Sequence, residues 1–207
     1  MDTTARSWQA VTMPPAVAAL PRDARGYPIS WATLWDTGHE TKTAWPAGTG
    51  PGLQVGCSCW PGRGSPVLGQ LCVVRQRRCM TRRRCQLCGR AVPTDQPAVF
   101  VAGRPHHAST QPVSEPPLHR HCAAYALRVC PHLVAGHRSG LAHVAEATQY
   151  VLLEEHVSPG PDNTLLTHTR LPGEPPRPTD PPSALQHYLA VPDAPWTPAD
   201  HWLATHH

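Results

Sequence analysis

Apolar residues recur with helical spacing over residues 118–129, and this periodicity predicts a helix. The apolar side chains that share one helix face are Leu118, Cys122, Tyr125, Ala126 and Val129. Proline is accepted in a first turn, so Pro116 and Pro117 introduce the helix, with Ser114 as the candidate N-cap. Pro131 ends the predicted helix after Cys130.

Shorter apolar runs predict strands elsewhere in the chain. Residues 96–103 form an apolar run that ends in a glycine, as expected for the first strand of a hairpin, and residues 30–35 have strand-like composition. Residues 139–156 fit a helix, but residues 149–153 also fit a buried strand that pairs with residues 164–169 across a turn rich in proline and glycine. The turn chemistry makes the hairpin attractive, yet periodicity alone does not separate the two structures, so both stay open.

Composition limits how much of the chain forms regular structure. Only 15% of the 207 residues are charged and 6% are aromatic, whereas 26 are proline. The formal net charge of +4 is below the level at which nucleic-acid binding is the default interpretation. The first residues lack a basic segment leading into an apolar run, and no stretch approaches the ~18 apolar residues of a membrane-spanning helix. We therefore expect a cytoplasmic protein without a membrane partner, in which the eight cysteines are metal ligands or spare thiols.

The strongest motif is a Cys-x-x-Cys pair, Cys85 and Cys88, followed at once by Gly89. Two thiolates at this spacing can reach one zinc ion, and the glycine permits the tight turn that their approach requires. A structural zinc ion needs four ligands, and His119 and Cys122 supply the second pair at a spacing that places both on one helix face. His121 is a weaker candidate, because adjacent helical residues point about 100° apart. The sequence therefore predicts one structural zinc per chain.

A second group of cysteines precedes this motif and consists of Cys57, Cys59 and Cys72, with Cys79 a little beyond. Cys-x-Cys is a less specific metal signature than Cys-x-x-Cys. A second zinc site is one interpretation, and we favour spare thiols.

Six arginines lie in the ten residues directly before the motif: Arg75, Arg77, Arg78, Arg82, Arg83 and Arg84. A cluster this dense beside a zinc module can neutralise phosphates, which would make the six residues a nucleic-acid-binding segment. Alternatively, the segment is a solvated basic linker, or it pairs with acidic residues of its own chain. The sequence supports these interpretations about equally.

Three blocks of sequence carry a resemblance to a known family. They are residues 20–28 (Leu-Pro-Arg-Asp-Ala-Arg-Gly-Tyr-Pro), the Cys-Gln-Leu-Cys-Gly motif at 85–89, and residues 115–133, which include His119, Cys122 and Cys130-Pro131-His132. Together they resemble an uncharacterised family of small proteins from actinobacteria and their phages or mobile elements. The resemblance implies that the motif, the helix and the arm around Gly26 form one unit, but it implies no activity. Residues 53–84 depart from the family pattern.

The predicted fold is α+β, with a small treble-clef-like zinc module at its centre. The sequence predicts five divisions. Residues 1–52 form an irregular N-terminal arm, residues 53–84 a Cys/Arg-rich connecting segment, and residues 85–135 the zinc module. Residues 136–172 form a helix or hairpin extension, and residues 173–207 form a Pro-rich tail with candidate short helices at 183–190 and 198–204. We expect Trp31 and Trp35 to pack the arm onto a core.

A zinc ion with four protein ligands has no open position for chemistry, so the expected function is non-catalytic. The sequence predicts a module that binds nucleic acid or a protein. The alternative is a nuclease of the His-metal finger type, with His106 or His107 as the general base.

Overall fold

The computed structural model describes residues 10–36, 44–46, 53–103, 111–175 and 182–206. The helices are α1 (Pro15–Ala18), α2 (Val73–Thr81), α3 (Arg120–Val129), α4 (Pro131–Arg138) and α5 (Ala199–Thr205). The strands are β1 (Thr33–Asp36), β2 (Ala44–Pro46), β3 (Leu53–Val55), β4 (Ser65–Leu71), β5 (Ala98–Ala102), β6 (His143–Ala147), β7 (Tyr150–Pro159), β8 (Leu165–Arg170), β9 (Ala184–Pro192) and β10 (Thr197–Pro198). This mixture of helices and strands confirms the α+β class.

The largest sheet has five strands in the order β2-β3-β9-β7-β8. Strands β7 and β8 form an antiparallel hairpin in which Pro159 pairs with Leu165, and a short 3-10 turn at Pro161–Asn163 connects them. Residues 143–147 and 150–159 are therefore strands rather than a helix, and a hairpin does form across this turn. Its register differs from the prediction, because β8 pairs with residues 154–159, whereas residues 150–153 pair with β9. The opposite edge of β7 pairs with β9, which also pairs in parallel with β3.

A three-stranded sheet in the order β10-β6-β5 lies against α3 and carries the main core. All five residues of β5 are buried, because one face of the strand contacts α3 and its edges pair with β6 and with Leu118. Phe100 and Leu127 are among the largest fully buried side chains. The predicted strand at 96–103 is thus confirmed, although its main partner is β6 rather than the next segment of the chain.

The helix predicted from apolar periodicity begins later than expected. Leu118 exchanges two main-chain hydrogen bonds with Val99, so residues up to 118 are extended and His119 is the N-cap. The prediction of Ser114 as N-cap was therefore wrong. The helix ends at Val129 with Cys130 as its C-cap, one residue before the predicted end, and Pro131 then begins α4, where proline is accepted in the first turn.

The C-terminal region contains more regular structure than its composition indicated. Residues 184–192 form β9 in the largest sheet, which corrects the expectation of a short helix at 183–190. The predicted helix at 198–204 is confirmed as α5, and its Trp202 and Leu203 enter the main core. The part of the Pro-rich segment at 176–181 lies outside the described residues.

A second, smaller core forms where β1 pairs with β4. Its buried members are Ile29, Leu34, Trp35, Cys59 and Cys72. Trp35 is only 4% exposed, as expected for a tryptophan that packs the N-terminal arm. Residues 73–81, which the sequence left as part of a connecting segment, form helix α2 directly after β4.

Candidate metal centre

Two main-chain hydrogen bonds of Cys85 stabilise the turn from Cys85 to Gly89. The Cys85 N–H donates to the Arg90 carbonyl, and the Gly89 N–H donates to the Cys85 carbonyl, each at 2.8 Å. Gly89 has a φ of +74°, and a Cβ at this position would lie 2.6 Å from Cγ of Trp31. Glycine is therefore required both for the left-handed backbone and for the close packing of the tryptophan ring.

The structure brings Cys85, Cys88, His119 and Cys122 together. Their ligand atoms all lie within 4.8 Å of one another, and all four residues are buried. His119 Nδ1 is 3.4 Å from the Cys88 sulfur and 3.9 Å from the Cys122 sulfur. A tetrahedral zinc ion with bonds of roughly 2.0 to 2.3 Å separates its ligand atoms by about 3.5 to 3.8 Å, so these distances suit one ion.

The other ring nitrogen of His119 orients the imidazole for ligation. Nε2 lies 2.8 Å from the carbonyl oxygen of Ala91, which can only accept a hydrogen bond, so Nε2 carries the proton. In the neutral ring, Nδ1 then has a free lone pair that faces the three sulfurs. A main-chain carbonyl in this position is a common partner of metal-bound histidines. His121 stacks on the His119 ring, with centroids 5.1 Å apart, and is exposed, so it does not join the cluster.

In the absence of a metal ion, hydrogen bonds within the cluster shift the pKa values of His119, Cys88 and Cys122. Hydrogen bonds with Cys85 and Cys88 raise the pKa of His119 to about 10, against the effect of burial. Hydrogen bonds from Cys122 and Cys85 lower the pKa of Cys88, whereas hydrogen bonds with Cys85 and Cys88 raise the pKa of Cys122. A metal ion would take the place of these protons, because thiolates and neutral imidazole are the ligating forms.

The N-terminal arm is fastened to the Cys85–Gly89 turn. The N–H groups of Trp31 and Ala32 donate to the carbonyls of Leu87 and Gln86, and the Ser30 hydroxyl donates to the same Gln86 carbonyl at 2.7 Å. The cluster therefore lies where the arm, the turn and the start of α3 meet.

Three further cysteines also converge. The sulfurs of Cys57, Cys59 and Cys72 lie within 4.8 Å of one another, so this second group could hold a metal ion as well. Cys79 does not belong to it: the Cys79 side chain is fully buried, and burial raises its pKa. The Cys-x-Cys spacing was the signal for the second group, but the third member comes from the far end of strand β4.

Two arginines of the basic segment are buried and form hydrogen bonds inside the protein. Arg75 and Arg77 are only 5% and 8% exposed. Arg75 donates to Cys59 and Thr33, and Arg77 donates to the carbonyls of Gln186 and Val55, each at 2.7 Å. These two residues are therefore not accessible to a phosphate, and their assignment to a nucleic-acid-binding segment is corrected.

The remaining four arginines of the segment differ in their environment. Arg83 donates to the carbonyls of Gln96 and Thr148, and Arg84 donates to the Gly89 carbonyl of the metal-ligand turn. Arg78 and Arg82 are exposed. The segment is thus a helix followed by a turn rather than a solvated linker. Within the described residues, four of its arginines donate to main-chain carbonyls, and none forms an ion pair with an acidic side chain. His106 and His107, the alternative catalytic residues, lie outside the described residues.

Comparisons with known proteins found no relative: no protein-family model, no curated protein and no solved structure matches the chain. The resemblance to small actinobacterial and phage proteins therefore stays a prediction. Among the described residues, no helix is long and apolar enough to cross a membrane. Fold and site together define an α+β protein with a buried Cys3His cluster that could hold a metal ion.

Proposed function

We propose that the protein is a non-catalytic zinc protein, in which one structural ion is bound by Cys85, Cys88, His119 and Cys122. The observation that carries this proposal is the convergence of four buried ligand atoms within 4.8 Å. Four protein ligands complete the tetrahedral coordination of zinc and leave no position for water or substrate. Along the chain, the Cys-x-x-Cys turn is followed by strand β5, whose Val99 pairs with Leu118 just before α3, and then by the N-terminus of that helix; this order supports the proposed treble-clef-like arrangement.

The zinc ion would join segments that the chain brings together only on folding. The Cys85–Gly89 turn and the first turn of α3 each supply two of the four ligands. Because the unfolded chain has no preformed site, the free energy of zinc binding contributes directly to folding. His119 and the Ala91 carbonyl would hold the imidazole in its ligating tautomer.

We further propose that the zinc module binds nucleic acid through the exposed arginines that remain. Arg78 and Arg82 are four residues apart at the end of α2, so they lie on the same side of the helix. Neither makes a hydrogen bond or ion pair that would occupy its guanidinium within the described structure. Two such groups next to a rigid zinc site suit contacts with consecutive phosphates. A protein partner is the other candidate that the sequence predicts.

Metal content of the untagged protein tests the structural site. We expect zinc to be present in the wild type and in Cys130→Ser, whose half-buried thiol lies outside both cysteine groups. Cys88→Ser should lose one zinc equivalent and its cooperative unfolding transition, because a buried ligand is missing. A folded Cys88→Ser variant with unchanged zinc content would contradict the proposal.

The salt dependence of binding tests the nucleic-acid assignment. For an Arg78→Gln, Arg82→Gln variant, the slope of log K against log salt should be shallower by about 2, since each phosphate contact contributes about 1. The control is Arg63→Gln, Arg138→Gln, which removes the same charge from other exposed positions. If both variants change the slope equally, or if the wild type binds neither DNA nor RNA, a protein partner becomes the better explanation.

A further inference from the structure

The two cysteine groups share the same order of elements along the chain: a loop with a cysteine pair, a strand and then a helix. In the first group, the Cys85 and Cys88 pair is followed by strand β5 and then by α3, whose N-cap is the ligand His119. In the second group, the Cys57 and Cys59 pair is followed by strand β4 and then by α2, whose N-cap is Cys72. Both groups thus consist of a cysteine pair on a loop and a ligand residue at the start of a helix, where the helix dipole favours thiolates.

One position differs between the two groups. The first helix supplies a further ligand three residues after its N-cap, at Cys122, whereas the second helix has Arg75 at the corresponding position. Nη2 of Arg75 lies 3.1 Å from the Cys59 sulfur and donates a hydrogen bond to it. The described part of the chain offers no fourth His, Cys, Asp or Glu ligand within this group.

We propose that Cys57, Cys59 and Cys72 form a second metal site, which binds a divalent zinc ion through three thiolates and leaves its fourth coordination position to solvent or a small exogenous ligand. Thiolates select soft or borderline metal ions, and three of them suit zinc. Three thiolates and a divalent ion carry one net negative charge, which the buried Arg75 guanidinium neutralises. Arg75 thus compensates charge where the first site has a fourth ligand.

The environment of the group supports binding of a metal rather than mere proximity of thiols. Cys59 and Cys72 are 6% and 1% exposed within the smaller core, whereas Cys57 is half-buried and lies on the wall of a cavity. The Cys57 side therefore gives an ion access from solvent. Arg75 also donates to the Cys59 carbonyl at 3.2 Å, which fixes the loop that carries the cysteine pair.

Zinc stoichiometry in a reducing buffer tests the second site. We expect two zinc ions per chain in the wild type and in the Cys130→Ser control, and one in Cys57→Ser. Cys57 is the suitable position because its partial exposure keeps the cost to folding small. Cys59→Ser is the second variant, and circular dichroism must show native secondary structure before either result is interpreted. One zinc in the wild type, or two in a folded Cys57→Ser variant, would overturn the proposal.

The kinetics of metal release and cobalt substitution provide an independent measurement. A chromogenic chelator should remove zinc in two phases, with the fast phase absent from Cys57→Ser, because the second site has three ligands and an open side. In a cobalt titration, the thiolate-to-cobalt charge-transfer band should double between one and two equivalents, since each site supplies three sulfurs. A single release phase, or a band that saturates at one equivalent, would refute the second site.

These outcomes distinguish the two proposals. Loss of one zinc in Cys88→Ser, with one zinc in the wild type, would preserve the structural site and exclude the second. Absence of zinc from the wild type, with all thiols reduced and the protein folded, would contradict both.

Discussion

At the scale of single residues, Gly89 is the position most sensitive to a small change near the proposed zinc site. Gly89→Ala should destabilise the protein by about 2 to 4 kcal/mol, because the added Cβ is strained at positive φ and also overlaps the Trp31 ring. Gly140→Ala is the matched control: its φ is +70° but no atom lies within 4 Å of the added Cβ. That variant should lose only about 1 kcal/mol in urea unfolding.

A double variant separates overlap with Trp31 from backbone strain. Trp31→Ala should recover part of the stability lost in Gly89→Ala, because it removes the atoms that the new Cβ meets. If the two substitutions are additive, or if the two glycine variants lose equal stability, the packing of Trp31 on Gly89 is not the cause.

The same substitution should destabilise the protein at one of two adjacent arginines on α2 and have little effect at the other. Arg77→Ala should cost about 3 kcal/mol, because the carbonyls of Gln186 and Val55 lose a buried, charged donor. Arg78→Ala should change stability by no more than about 0.5 kcal/mol, since its side chain is exposed. Thermal or urea unfolding measures both effects. Equal effects would contradict the structural role of Arg77.

At the scale of elements, Glu146 connects β6 to two helices. It accepts hydrogen bonds from Arg120 at the start of α3, at 2.8 Å and 2.7 Å, and from Trp202 of α5 at 2.9 Å. Partial burial favours the neutral acid, but these hydrogen bonds and the nearby Arg120 and His206 charges outweigh it and lower the pKa of Glu146. The carboxylate therefore helps to keep α5 beside the helix that supplies two of the four metal ligands.

The lowered pKa determines how Glu146 affects stability as a function of pH. A carboxylate whose folded pKa lies below its unfolded pKa stabilises the protein above the unfolded value, and the contribution disappears as pH falls through the folded value. Glu146→Gln should thus lose about 1 to 2 kcal/mol above about pH 5.5, with a smaller difference from wild type below about pH 4. Urea unfolding at several pH values measures this difference.

The exposed carboxylate Asp95 provides the control for this pH series. Asp95→Asn should stay near wild-type stability at each pH. Acid also releases metal, but this affects wild type and variants alike, so the comparison rests on the difference between them. A Glu146→Gln difference that does not change with pH would contradict the predicted role of the carboxylate.

At the scale of the whole molecule, the C-terminal segment is part of the fold. Strand β9 pairs with β7 and β3, and the fully buried Gln76 of α2 exchanges hydrogen bonds with the main chain of Tyr188 in β9. A chain that ends at residue 181 lacks β9, β10 and α5. It should show no cooperative unfolding transition, because β7 and α2 lose their main partners.

Coexpression of residues 182–207 as a separate fragment provides the complementary measurement. The fragment should restore soluble protein, since β9 is bound by main-chain pairing and by buried side chains such as Leu185. A truncated chain that unfolds cooperatively and retains its zinc would instead support the sequence-based interpretation of this region as a tail.

The sequence alone determined those features that depend on local spacing. Cys85 and Cys88 share one tight turn, His119 and Cys122 lie three residues apart at the start of a helix, and the turn after Pro159 closes a hairpin. Each depends on a few neighbouring residues, so spacing and turn chemistry were sufficient. The periodicity of α3 was also sufficient, although its start was misplaced because Leu118 pairs with Val99 rather than beginning the helix.

Only the tertiary structure decided the roles of residues whose partners are distant in the chain. Arg77 is buried because it meets the Gln186 carbonyl, 109 positions away, and no local pattern distinguishes it from the exposed Arg78. Cys72 joins Cys57 and Cys59 because β4 pairs with β1 and returns the chain to their loop. Strand β9 was not predicted, because its flanking segments are rich in proline and its own residues carry only a weak strand signal. A strand in a sheet is stabilised by its neighbours more than by its own propensity.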